Sequence, residues 1–141
     1  MNKQFTEDYV SFEVAKLLKE KGFPEGYQHT NYFMDENGNQ ATCTICGAIG
    51  KNITTIPCLT HQMALKWLRE VHNIVLDIAF EANKGWTFYV SHLIIETLSD
   101  GSTYIVGIQH SVWSDDVQQP YYKEYEEAVE SALKYTLENL I

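Results

Sequence analysis

Apolar residues along this chain fall into two spacings, and the changes between them mark its elements. Val14, Leu17 and Leu18 repeat at i, i+3, i+4, with Phe12 and Ala15 widening the stripe. That spacing predicts a helix over 11–21, capped by Ser11 and stopped by Gly22 ahead of Phe23-Pro24. Residues 27–34 read as a strand of poor alternation, and Asp35-Glu36-Asn37-Gly38 as a turn. Residues 42–56 are rich in Thr, Ile and Gly, which suits one or two short strands or a loop folded around a metal. Pro57 closes that segment. Thr60 can cap a second helix, on which Met63, Ala64, Trp67, Leu68 and Val71 share one face and Asn73 marks the stop. That face predicts Trp67 as a core residue.

At Asn73 the period switches from 3.6 to 2. Ile74, Leu76, Ile78 and Phe80 alternate with Val75, Asp77, Ala79 and Glu81, the pattern of a half-buried strand. Asn83-Lys84-Gly85 turns the chain into a second strand, from Trp86 to about Ile95. Ser99-Asp100-Gly101-Ser102 turns it into a third, carrying Tyr104, Val106 and Ile108. A loop from Trp113 to Pro120 precedes a last helix from about Lys123 to Asn139. Its apolar face is Tyr125, Ala128, Val129, Ala132, Leu133, Thr136, Leu137 and Leu140, and Glu124, Glu126 and Glu127 suit the positive end of the helix dipole. The fold class is therefore α+β within a single domain, 1–141. Residues 1–59 supply an N-terminal helix and a variable segment of short strands. Residues 60–141 supply helix, three antiparallel strands and helix, with both helices expected on one face of the meander. This element order resembles the double-stranded RNA-binding domain topology.

Composition narrows the partners. The formal net charge is −9, and residues 62–141 hold 12 acidic against 5 basic side chains. That sign repels nucleic-acid phosphates and anionic lipid. The RNA-binding relatives of this topology place lysines at the start of the last helix. Here Tyr121-Tyr122-Lys123-Glu124-Tyr125-Glu126-Glu127 stands there, so direct nucleic-acid binding is not expected. The first residues lack a basic start and an apolar stretch, and no apolar run reaches the length that spans a bilayer, so the expectation is a cytoplasmic protein without membrane partners.

The sharpest local pattern is Cys43-x-x-Cys46, an eleven-residue gap that opens on Gly47, then Cys58-x-x-His61. Three thiolates and an imidazole at these spacings can close a tetrahedral structural zinc site. The competing reading is three ordinary thiols in a reducing compartment, behaving as small apolar groups, and redox use of Cys43 and Cys46 is a third. No cofactor is assigned from the sequence, structural zinc being the alternative. For catalysis the chain offers no nucleophile elbow, phosphate loop, HExxH or dinucleotide fingerprint. His110 with Asp115 and Asp116 can share a loop rim, where solvated side chains are the simpler reading. Trp113, Tyr121 and Tyr122 flank the loop before the last helix. They read either as an interaction patch, where Trp and Tyr are enriched, or as a lid on the sheet end.

Three stretches carry a resemblance. They are Tyr9-Val-Ser-Phe-Glu-Val-Ala-Lys-Leu-Leu-Lys-Glu-Lys-Gly-Phe23, Thr60-His-Gln-Met-Ala-Leu-Lys-Trp-Leu-Arg-Glu-Val-His-Asn-Ile74 and Glu127-Ala-Val-Glu-Ser-Ala-Leu-Lys-Tyr135. Together they resemble a group of small uncharacterised proteins from gut Bacteroidales and their prophages. The group commonly has proline before the threonine, where this chain has Leu59, and the cysteine pair is not a group feature. The resemblance brings no activity or ligand. It implies an accessory or interaction protein of a phage or mobile element, non-enzymatic and acting on a protein partner. Two alternatives stand beside it: a zinc-stabilised structural module, and an acidic decoy that imitates nucleic acid to occupy a defence protein.

Overall fold

The structure is a computed structural model that describes residues 8–24, 32–34, 40–42, 56–57, 59–110, 112–113 and 117–141. It is α+β, with three helices and two three-stranded antiparallel sheets among the described residues. The chain divides into two compact units, Met1–Ala64 and Leu65–Ile141.

In the first unit, α1 runs Phe12–Glu20. The Ser11 hydroxyl accepts from the Val14 N–H at 3.2 Å, satisfying one of the amides that a helix start leaves unpaired. At the other end the Phe23 N–H reaches the Leu18 carbonyl and the Gly22 N–H reaches that of Lys19, a Schellman closure. The sheet consists of β1 (Tyr32–Met34), β2 (Gln40–Thr42) and β3 (Ile56–Pro57), in the order β2-β1-β3. Two backbone bonds clip the chain start to the helix that follows: Val10 N–H to the Leu59 carbonyl and His61 N–H to that of Asp8.

Helix α2, His61–His72, begins in the first unit and continues into the second. The Thr60 hydroxyl caps it by accepting from the Met63 N–H. Asn73, at φ 54°, ends it in the left-handed conformation that asparagine tolerates. Trp67 is buried as its face requires, and its ring meets that of His72 edge-on at 4.5 Å. Val71 departs from expectation and is 59% exposed. It lies one turn beyond Trp67 and Leu68, past the end of the buried stripe.

The second sheet follows the predicted meander: β4 (Ile74–Glu81), β5 (Gly85–Thr97) and β6 (Thr103–His110), in the order β4-β5-β6. Register places Ile78 opposite Phe88, Leu76 opposite Val90, and Ile95 opposite Ile105. Helix α3, Tyr125–Asn139, lies against β5 and β4. Tyr135 meets Phe88 and Tyr125 meets Trp86 through their rings, so α3 covers the face carrying Trp86, Phe88 and Val90. Ala128, Val129, Ala132, Leu133 and Leu137 are fully buried.

Lengths decide what stays bare. A 13-residue strand extends about 43 Å, whereas a 15-residue helix extends about 22 Å. One helix therefore cannot cover the whole of β5. The far half of the β5–β6 hairpin carries exposed apolar side chains, with no helix over them among the described residues. The expectation that the alternating apolar positions Tyr104, Val106 and Ile108 of the third strand face a core fails here, because Tyr104 and Ile108 on β6 are exposed.

Candidate functional site

At the near end of the second sheet, α3 lies over one face and Gln119 reaches the other. Backbone pairing there is extended by the segment before α3. The Trp86 N–H donates to the Tyr122 carbonyl at 2.8 Å, and the Tyr122 N–H returns to the Trp86 carbonyl at 2.7 Å. β4 holds one edge of this stretch of β5, so Tyr122 occupies the other, where β6 has already ended. On the face away from α3, the Gln119 amide donates to the hydroxyl of fully buried Thr87 at 2.9 Å.

The same segment brings Tyr121 to a polar cluster at the end of β4. Glu81 accepts from the Tyr121 hydroxyl at 2.8 Å and from the Tyr89 hydroxyl at 3.0 Å. Lys84 reaches Oε2, the oxygen that Tyr121 binds, at 3.4 Å and also stands over the Tyr121 ring. Hydrogen bonds from Tyr121, then Tyr89, hold the Glu81 carboxyl below its ordinary 4.5, since they stabilise the ionised form. Lys84 is held above its ordinary value, chiefly by its bond to Tyr121 and then by Glu81, and Tyr121 is raised by its bond to Glu81. A depressed carboxyl contributes stability above its unfolded value and loses it as pH falls through the folded one. Acidification below 4.5 is therefore expected to loosen Tyr121. Melting curves of wild type and Glu81→Gln should differ at neutral pH and converge in acid. A difference that stays constant with pH would assign the cluster no electrostatic part.

The sequence-predicted aromatics all have places here. Trp113 meets the Phe88 ring at 5.1 Å, Tyr121 is bound to Glu81, and Tyr122 pairs with Trp86 through the backbone. All three are half-buried. Each ties the loop before α3 back into the sheet. The four candidate zinc ligands are less fully placed. Cys43, Cys46 and Cys58 lie outside the described residues, as do Asp115 and Asp116. His61 is buried in the first turn of α2. Thr42 and Pro57, which precede Cys43 and Cys58, flank Tyr32 and Phe33 on either side of β1. Two strand spacings, about 9.5 Å, separate such positions. Among the described residues, no group of three or more His, Cys, Asp or Glu side chains is placed to hold a metal ion.

The surface that sequence reasoning missed is the far half of the β5–β6 hairpin. Ile95 is 70% exposed and Ile105, directly opposite, 67%. Leu93 lies on the same face, half-buried. The other face carries exposed Ile94, Ile108 and Tyr104, and Leu98 stands exposed at the tip. The outer edge of β6 has no strand beside it among the described residues. No charge and no proline protect the run Thr103–His110. No lysine or arginine occurs between Lys84 and Lys123, so the only charges in the described hairpin after Lys84 are Glu96 and Asp100. One more feature lies at the hairpin's root. His92 Nδ1 and His110 Nε2 stand 3.2 Å apart across the two strands.

No helix among the described residues is long and apolar enough to cross a membrane. No protein-family model matches the chain, and comparison with curated proteins and with solved structures finds no match.

Proposed function

We propose that this chain is a non-enzymatic interaction module that binds an extended segment of a partner protein along the free edge of β6. The observation that carries this reading is the uncharged β6 edge, which has no strand beside it among the described residues, next to exposed Ile95, Ile105 and Ile108. An unpaired edge of this kind is a template for strand addition: main-chain bonds supply affinity and alternate side chains supply specificity. Acidic Glu96 and Asp100 frame the strip, and nothing basic balances them there. The partner strand that fits is apolar, with lysine or arginine at its ends. The resemblance to prophage-borne proteins suggests a phage or mobile element as the setting.

The test uses a synthetic peptide of alternating valine and threonine flanked by lysines. It should bind saturably and shift the amide resonances of Thr103–His110. Ile105→Glu should weaken binding by about tenfold or more. It should change stability by no more than about 0.5 kcal/mol, because Ile105 is a surface position. Shifts confined to other elements would refute the site. Dimerisation of the chain alone through β6 would replace the proposed partner with a second copy. A structural zinc held by Cys43, Cys46, Cys58 and His61 is a second reading, carried by the spacing of these residues in the sequence.

A further inference from the structure

We infer that His92 and His110 form a two-point site for a divalent first-row transition metal ion at the root of the β5–β6 hairpin. His92 pairs with Ile108 and His110 with Val90, so the two imidazoles are diagonal neighbours on one face of adjacent strands. Their rings are 5.4 Å apart at 60°, and the facing nitrogens are 3.2 Å apart. Two nitrogens each 2.0–2.1 Å from one tetrahedral ion lie about 3.3–3.4 Å apart, and cis positions at a right angle bring them to about 2.9 Å. The observed separation falls between these values. In the metal-free pair one nitrogen donates a proton to the other. A metal ion can replace that proton with little movement of either ring.

The surroundings favour a cation. Neither strand of the hairpin carries a lysine or arginine. A third imidazole, His72, has its Nε2 buried without a hydrogen-bond partner. Burial, and then the nearby His92, keep its ring below the ordinary imidazole value. The proposed site consists of His92 and His110 alone. Water would complete the coordination, so the ion would exchange readily. Imidazole donors select zinc, copper or nickel over magnesium and calcium. The consequence is a clasp between β5 and β6 where the uncovered hairpin leaves the packed part of the sheet.

This inference stands apart from the strand-addition reading and is tested without any partner. Zinc, nickel and copper(II) are each titrated into the Cys43→Ser, Cys46→Ser, Cys58→Ser triple variant and followed by calorimetry. One ion per chain is expected, with binding weakened about a hundredfold or more by His92→Gln or by His110→Gln, because losing one of two linked donors removes the chelate advantage. His72→Gln should leave binding nearly unchanged. If the triple variant does not fold, the unmodified chain is used with nickel alone, and paramagnetic broadening should centre on His92 and His110. Broadening centred only on residues 43–61 would overturn the site, as would binding indifferent to both substitutions. Failure of all three metals to bind saturably would also end it.

Discussion

Phe88→Ala is expected to cost about 3–5 kcal/mol, enough to remove a large part of the stability of an ordinary domain. Phe88 lies at the centre of β5, 2% exposed, the largest of the fully buried side chains. Three elements close on it: Ile78 opposite on β4, Tyr135 from α3, and Trp113 from the segment after β6. Truncation removes the transfer free energy of a whole ring. It also leaves a cavity whose walls belong to elements already fixed by their own backbone bonds, so collapse is limited. Urea denaturation of the wild type and the variant measures the difference directly. A loss under about 1 kcal/mol would mean that α3 does not hold its place over β5. The matched control is Ile105→Ala, on the same sheet but at an exposed position, which should change stability little.

The contrast between Phe88 and Ile105 also separates what was legible in the sequence from what was not. Both occupy strands whose period-two pattern is plain. The pattern locates strands, turns and caps: Ser11 and Thr60 cap as read, Asn73 stops α2, and both hairpins turn where Asn83-Lys84-Gly85 and Ser99–Ser102 stand. It does not say which apolar face finds a cover. Val71, Phe80, Tyr104 and Ile108 fit their stripes and remain exposed. β5 is longer than the sequence suggested, running to Thr97, and that added length lies in the uncovered half. The last helix starts at Tyr125 rather than Lys123 because Tyr122 is held extended against Trp86. The Glu81–Tyr121 bond joins residues 40 apart, a separation at which no local spacing rule operates. The His92–His110 pair depends on register, which follows only once the turn is known. The cysteine motif is the reverse case. It is the clearest pattern in the sequence, yet of its four side chains only His61 falls among the described residues.

Gly85→Ala is expected to cost about 3 kcal/mol or more, a large effect for one added methyl group. Two independent causes act at this position. Gly85 has φ +117°, a conformation that side chains rarely adopt, and such strain alone costs on the order of 1–3 kcal/mol. A Cβ built there would also stand 2.5 Å from the Tyr122 carbonyl oxygen. That oxygen is not free to move, because it accepts the Trp86 N–H at 2.8 Å within a reciprocal pair. Relieving the clash means pulling Tyr122 away from β5, at about 0.5–1.5 kcal/mol for each bond lost. The neighbouring ties of the same segment, Tyr121 to Glu81 and Gln119 to Thr87, are then strained as well. Gly101 separates the two causes. Its φ is +87° at the β5–β6 turn, but a Cβ there meets nothing within 4 Å. Gly101→Ala should therefore show the conformational cost alone, about 1–2 kcal/mol. Equilibrium unfolding of both variants, with amide exchange at Trp86 and Tyr122, distinguishes the contributions. Equal losses at the two glycines, with exchange at Tyr122 unchanged, would show that the Gly85–Tyr122 approach carries no energy of its own.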